Sequence, residues 1–262
     1  MPHVESESTG RSALSQRAIM PLANGRTVSI EMFSLTGPLI VTIDGPAGTG
    51  KSAVARRLAE RLDLQFLDTG AMYRAATLIA ILEGIPIDDT DRFLERVEAS
   101  NLHIDWTRET PSVVIFDRAV DDRIRDADVT RLVSPVSAIP RLREYMVTKQ
   151  RQISNRHPRL VSEGRDQGSV VFPDAQARFY VDADPSERAR RRVLQLKATK
   201  GIDADFKATL EEINRRDASD KARSDGPLRV PEGAIVVDTT RLTEAEVVDV
   251  LAAKVMELAA AP

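Results

Sequence analysis

Gly45-Pro-Ala-Gly-Thr-Gly-Lys51-Ser52 sets an ammonium and a hydroxyl directly behind a glycine-rich turn. The string fits G-x-x-x-x-G-K-[ST] with no mismatch. Glycines let the backbone of Gly45, Pro46, Ala47, Gly48, Thr49 and Gly50 close around phosphate oxygens, with several N–H groups pointing inward. A helix opening at Lys51 adds its positive dipole end. Lys51 is then placed for the β- and γ-phosphates and Ser52 for Mg²⁺, while Ala53 completes the donor-binding turn. The spacing specifies a nucleoside triphosphate held through its phosphates and is silent about the acceptor.

Arginines supply the next constraint. Asn-Lys-x-Asp, which reads guanine in GTPases, does not occur in the chain. Motor-type ATPases end a strand in Asp or Asp-Glu, but here Val161-Ser162-Glu163-Gly164-Arg165-Asp166 follows its carboxylate at once with an arginine. Asp68-Thr69-Gly-Ala-Met-Tyr73-Arg74 brings a second arginine beside a hydroxyl and an aromatic ring. Each alone could be a surface side chain lying over a helix. Together, at strand ends where open α/β sheets bind ligands, they suit an anionic acceptor held by guanidinium forks.

Two further clusters stay open between a bland and a sharp reading. Arg188, Arg191 and Arg192 share a helix face, as a solvated surface or as a lid closing over the transferring phosphoryl group. Arg216, Asp220 and Arg223 fall at i, i+4 and i+7, as an ion-pair ladder worth ~0.2 to 0.5 kcal/mol per pair or as a substrate-facing stripe. A phosphate acceptor is already ionised near neutral pH and needs no general base. An alcohol acceptor would need one, and Asp68, Glu163 and Asp166 are the candidates. His3, His103 and His157 receive no role. A chain that binds ATP as a switch without turnover is the reading from another class, and no effector surface announces itself.

These groups need a frame. Leu39 to Ile43 is a short β-branched run ending in Asp44, and Val54, Ala55, Leu58, Ala59 and Leu62 follow at helical spacing. Leu64 to Leu67, Leu160 to Ser162, Ala177 to Val181 and Ala234 to Val237 read as four more strands with helices between most of them. Such alternation predicts an α/β fold, a parallel sheet covered by helices on both faces. The second-to-third strand gap is too long for one crossover helix. It contains a predicted hairpin, Leu102 to Trp106 and Ser112 to Phe116, and Pro140 opens a helix. An inserted subdomain is therefore expected over about 85–155. An amphipathic helix is expected over Glu244 to Leu258.

Residues 1–37 show no sustained period and carry Pro21, Asn24, Gly25 and Gly37, so a mostly disordered leader is expected. A translation start further in, at Met20 or Met32, accounts for that segment equally well.

Composition narrows the class further. The 262 residues carry 37 Lys+Arg against 40 Asp+Glu, a formal charge of −3, which gives no bulk attraction for nucleic acid. Cysteine is absent, which excludes disulfides, cysteine-ligated zinc, iron–sulfur clusters and thiol nucleophiles. No apolar run approaches the ~18 residues of a spanning helix, so a cytoplasmic address without membrane association is expected.

The chain resembles the bacterial cytidylate kinase family of nucleoside monophosphate kinases from about Leu39 to Leu258. The resemblance rests on Asp44 to Ser52, Leu67-Asp-Thr-Gly-Ala-Met-Tyr-Arg74, Pro140-Arg-Leu-Arg-Glu144, Glu163-Gly-Arg-Asp-Gln-Gly-Ser-Val-Val-Phe-Pro-Asp-Ala175 and the Arg216 to Pro227 segment. It implies a P-loop three-layer fold with a five-stranded parallel sheet, spanning 38–262, with a monophosphate-binding insert and a helical lid over about 186–206. The implied activity is ATP-dependent, Mg²⁺-assisted phosphorylation of CMP and dCMP. By the same resemblance Thr69, Tyr73 and Arg74 line the monophosphate site, and Arg165 and Arg223 clamp the acceptor phosphate. Ser134, Arg143 and Asp166 would read the cytosine edge, and Tyr73, Arg216 and Asp220 would sit by the ribose. Arg188, Arg191 and Arg192 would be the lid arginines. A monomer is expected, since the lid and insert must move. Gln167 stands where the family more often has an apolar residue and Ala47 where serine is frequent, which touches fine specificity rather than any assigned group.

Overall fold

The computed structural model describes residues 16–21, 27–32, 37–108 and 110–260. The chain divides into two compact units, one within the first 36 residues and the other from Gly37 onward.

In the first unit, β1 (Gln16–Pro21) and β2 (Thr27–Met32) pair antiparallel, Gln16 opposite Met32 and Pro21 opposite Thr27. The expectation of a mostly disordered leader does not extend to these two strands. Thr27-Val-Ser-Ile-Glu-Met32 alternates polar and apolar residues, a strand period too short to stand out among the neighbouring turn formers. The rest of that expectation lies outside the described residues.

The second unit runs β3 (Leu39–Asp44), α1 (Lys51–Leu62), β4 (Gln65–Asp68), α2 (Thr69–Glu83) and α3 (Thr90–Ala99). A small antiparallel sheet follows, of β5 (His103–Asp105), β6 (Ser112–Ile115) and β7 (Arg118–Ala119). Then come α4 (Ala127–Val136), α5 (Pro140–Arg156), β8 (Arg159–Gly164), a π-helical turn (Gln167–Val171), β9 (Ala177–Asp182), α6 (Pro185–Lys200), α7 (Phe206–Lys221), β10 (Ile235–Asp238) and α8 (Glu244–Ala260). The hairpin expected before residue 116 is present as β5 and β6, whereas β7, two residues long, is too short to show a period.

The central sheet has five parallel strands in the order β10-β9-β3-β8-β4. β3 sits in its middle, Val41 opposite Val161 on one side and Ala177 on the other, which is why its sequence is apolar on both faces. Parallel strands end at one edge of the sheet. Asp44 is registered with Gly164, and Asp68 with Glu163, so the start of α1, the start of α2 and the Arg165-Asp166 segment meet there.

Local chemistry fixes those starts. Gly50 enters α1 in the left-handed region, at φ 85°, a conformation costly for other residues. Asp68 caps α2, its carboxylate accepting from the Ala71 N–H at 2.8 Å. α2 is buried on almost every side because it lies in a common core with α3, β6, α4 and α5: Met72, Ala76 and Ile79 share a cluster with Phe93, Val113, Val133 and Met146. No described helix is long and apolar enough to cross a membrane.

Candidate active site

A cavity of about 340 Å³ opens at the carboxyl edge of the sheet. Its donor side is the glycine loop. Gly45 has φ 149°, and a Cβ there would overlap the Val181 carbonyl oxygen, so this position tolerates no side chain. Lys51 Nζ donates to the Pro46 carbonyl at 2.6 Å, which folds the ammonium back along the loop. Thr49 Oγ1 donates to the same carbonyl at 3.3 Å. Burial, with Arg165 nearby, lowers the Lys51 pKa to about 7, and Glu163 opposes the shift. Ser52 Oγ donates to Glu163 Oε1 at 2.7 Å. Burial in turn pushes the Glu163 carboxyl up. Ala47, Gly48, Gly50, Lys51, Ser52 and Ala53 line the cavity; Gly45, Pro46 and Thr49 shape the loop behind it.

Facing the loop is a cluster of arginines. Arg74, Arg165, Arg216 and Arg223 all line the cavity, as does Asp220. Arg165 Nε donates to Asp220 Oδ2 at 2.9 Å, and Arg223 donates to the other oxygen. Arg74 Nη1 donates to Thr130 Oγ1 at 2.9 Å and to the Ile124 carbonyl at 3.2 Å. Burial first, then the neighbouring Arg216 and Arg125, lowers Arg74 to about 10. Arg216 is lowered by burial and Arg165, and Arg223 chiefly by burial. Guanidiniums that depress one another in a shared hollow mark a place built for anionic oxygens.

Deeper in the same cavity Arg143 is paired with Asp166, both buried. Arg143 also donates to Asp225 Oδ2 at 3.1 Å and lies over the Tyr73 ring, 5.9 Å from its centroid. Burial pushes the Tyr73 hydroxyl up, keeping it neutral. Burial raises Asp166 too, with Arg143 pulling the other way. Thr69 Oγ1 donates to the Glu163 carbonyl at 2.7 Å, and Ser134, from α4, meets Ser219 of α7 at 3.4 Å. All ten acceptor-side residues expected from the sequence therefore line one cavity.

The three arginines of α6 part company. Arg192 lines the cavity. Arg191 Nη2 instead donates to the Thr239 carbonyl at 2.7 Å, and its Nε to Glu187 at 2.8 Å. Arg188 is buried and spends its donors on the Ala47 carbonyl, the Ala183 carbonyl and Asp217. A second cavity of about 520 Å³, lined by residues of α4, α6 and α7, shares Arg125, Ser134, Arg192, Thr209, Glu212 and Arg216 with the first.

Among the residues of this neighbourhood that sequence reasoning missed are Arg125, Ser137, Asp217 and Asp225. Arg125 lines the cavity and pairs with Asp68 at 2.8 Å, but it sits in a mixed run, Asp121-Asp-Arg-Ile-Arg-Asp126, that reads as solvated surface. Ser137, which accepts from Arg223 at 2.8 Å, and Asp225 carried no spacing signal. Asp217 sits next to Arg216 in a run of mixed charge, and its spacing alone does not mark it.

A family model for cytidylate kinase matches residues 41–257. A cytidylate kinase of Caldanaerobacter subterraneus subsp. tengcongensis is 46% identical over 218 residues, 83% of this chain and 94% of that enzyme. One from Salinibacter ruber is 45% identical over 216 residues, 80% of this chain and 94% of its own length. A third, from Rhodococcus jostii, is 42% identical over 207 residues, 79% and 90% of the two chains. The matched span holds the glycine loop, the arginine cluster and the Arg143–Asp166 pair, and the chain belongs to the cytidylate kinase family.

Proposed function

We propose that this protein transfers the γ-phosphoryl group of ATP to CMP and dCMP, giving CDP and dCDP. The observation that carries the reading is the gathering of Arg74, Arg165, Arg216 and Arg223 in one cavity, Arg165 and Arg223 sharing Asp220, set opposite a complete phosphate loop. In this reading residues 45–53 cradle the donor phosphates and Lys51 swings from the Pro46 carbonyl to the β- and γ-phosphates. Arg74, Arg165 and Arg223 hold the acceptor phosphate, whose oxygen attacks the γ-phosphorus in line. That oxygen is already anionic, so the protein contributes alignment and charge neutralisation rather than a base. Arg192 supplies positive charge over the transferred group, joined by Arg191 if α6 releases it from Thr239.

Arg143, Asp166 and Ser134 read the cytosine edge; Arg143 donates and Asp166 accepts, which matches a ring face that carries both a carbonyl and an amino group. Thr69 and Tyr73 support the acceptor phosphate and ribose, with Arg216 and Asp220 beside the sugar. Ser52 and Glu163 offer hard oxygen donors of the kind Mg²⁺ takes, and most of its shell would come from phosphates and water. Bound there, Mg²⁺ would neutralise charge on the phosphates. The same reading makes the chain a cytoplasmic monomer acting on free nucleotides, with neither nucleic acid nor membrane as partner. It gives 38–262 to the kinase, about 85–155 to the acceptor-binding insert and about 186–206 to the lid, and it assigns no role to 1–37.

Mg-ATP turnover, followed as ADP release with CMP, dCMP, UMP, AMP, dTMP and shikimate, tests this directly. CMP and dCMP should be strongly preferred. Preference for another acceptor would overturn Ser134, Arg143 and Asp166 as cytosine readers, and turnover with none in folded, ATP-binding protein would overturn the kinase reading.

A further inference from the structure

Asp217 does not itself line the cavity, yet it bonds to the glycine loop and lies on the helix that carries Arg216 and Asp220. Its Oδ1 accepts from the Ala47 backbone N–H at 3.0 Å, and its Oδ2 from Arg188. Arg188 returns to the same residue, donating to the Ala47 carbonyl at 2.9 Å and, through Nε, to the Ala183 carbonyl at 2.9 Å. Both backbone groups of Ala47, the third residue of the phosphate loop, are thus gripped by one ion pair. That pair is buried, with Arg188 4% and Asp217 7% exposed. The fit beside it is close. Gly48, at φ 81°, lies so near α6 and α7 that a Cβ would meet Arg188 Cβ at 3.3 Å and Ile213 Cδ1 at 3.6 Å.

The helix that carries Asp217 also carries the acceptor side. Arg216 lines the cavity one residue before it, and Asp220 holds Arg165 and Arg223 less than one turn later. A helix is stiff over that distance, with three residues rising about 4.5 Å along the axis. Fixing Asp217 against Ala47 therefore fixes Asp220, and with it the acceptor arginines, relative to the loop that holds the donor. In-line transfer depends on that separation, and a misplacement of about 1 Å can cost a factor of about 100.

We propose that Asp217 is a positioning residue, which by bridging Ala47 and Arg188 sets the distance between the triphosphate loop and the acceptor arginines. The proposal rests on the phosphotransfer reading above. It also divides the α6 arginines: Arg188 belongs to the anchor, and Arg192 is left to the donor.

The test compares Asp217→Ala, which removes both contacts, with Asp217→Asn, which keeps an acceptor for the Ala47 N–H and loses the charge facing Arg188. Turnover is read at saturating ATP and CMP, each KM is determined, and folded fraction is followed by thermal unfolding. Asp217→Ala should lower kcat per folded molecule about 10- to 100-fold, with each KM changed less than about threefold. Asp217→Asn should fall between it and the parent. Combined with Arg188→Gln, Asp217→Ala should add little further loss, since the two act as one unit. Loss that merely tracks unfolding, a rise in one KM with saturating kcat intact, or full additivity with Arg188→Gln would each overturn the positioning role. A parent chain without turnover overturns the kinase reading instead, so the two failures are distinct. Should Asp217→Ala not fold, the kcat-against-KM split of Asp217→Asn decides.

Discussion

Arg143 and Asp166 form an ion pair whose side chains are 2% and 6% exposed. Removing one partner leaves the other charge buried, which typically costs about 3 to 5 kcal/mol. Asp225 softens this on the Arg143 side, because it also accepts from Arg143 Nε. Arg143→Leu should therefore destabilise the fold by an amount near that range, and adding Asp166→Leu should recover much of it. Denaturant unfolding of the two single variants and the double variant checks this, and a fully additive double variant would count against the pair.

Gly226 offers a separate handle on the same place. Its φ is 58°, and a Cβ would overlap Arg143 Nη2 and Asp166 Oδ2. Gly226→Ala should thus push the pair apart while leaving the glycine loop untouched. The expected outcome by calorimetry is a loss of at least about tenfold in CMP affinity, worth about 1.4 kcal/mol, with ATP affinity held within about twofold. Equal loss of both affinities would mean that the strain spreads through the fold.

Much of this architecture was legible, and the particular residues say why. Leu39 to Asp44 and the loop behind it announce a strand, a turn and a helix in adjacent residues, so local chemistry alone places the donor side. Arg74 and Arg165 could be picked out because each follows a strand end, and Arg216 and Arg223 because they share a helical stripe with Asp220. Arg188 shows where pattern stops: its i, i+3, i+4 relation to Arg191 and Arg192 is real, but helical spacing does not reveal that Asp217, 29 residues on, faces it. Arg191 is diverted in the same way by Thr239. Which neighbour a guanidinium meets is decided by packing between distant segments, and one sequence does not encode that in its spacing.

Arg165 separates turnover from stability. Its Nε donates to Asp220, but Arg223 donates to the same carboxylate from the other side, so Asp220 keeps a partner when Arg165 is lost. Arg165→Ala should change the unfolding free energy little while lowering kcat by about 100- to 1,000-fold, the usual cost of deleting one donor aimed at transition-state charge. Steady-state kinetics beside thermal unfolding reads both. Parallel loss of activity and stability would remove Arg165 from the reacting phosphates.

Asp44 makes stability depend on pH. It is buried at the end of β3, where it accepts from the Gln167 N–H at 2.8 Å and the Gly168 N–H at 2.7 Å, tying the donor strand to the turn that follows Arg165 and Asp166. Burial pushes its pKa from 3.8 up to about 7; the two N–H bonds and Lys51 oppose the rise, and Asp166 adds to it. A raised carboxyl means that the folded chain keeps a proton the unfolded chain has released. Its contribution to stability therefore declines as pH climbs from about 4 to 7, by at most about 1.4 kcal/mol per pH unit, and is level above that. Asp44→Asn cannot titrate, so it should lack this slope, whatever constant penalty comes from replacing one acceptor oxygen by an amide. Urea unfolding of both proteins at pH 5 and pH 8 isolates the difference in slope. The parent should lose more stability than Asp44→Asn between the two, and equal losses would show that Asp44 is already ionised at pH 5.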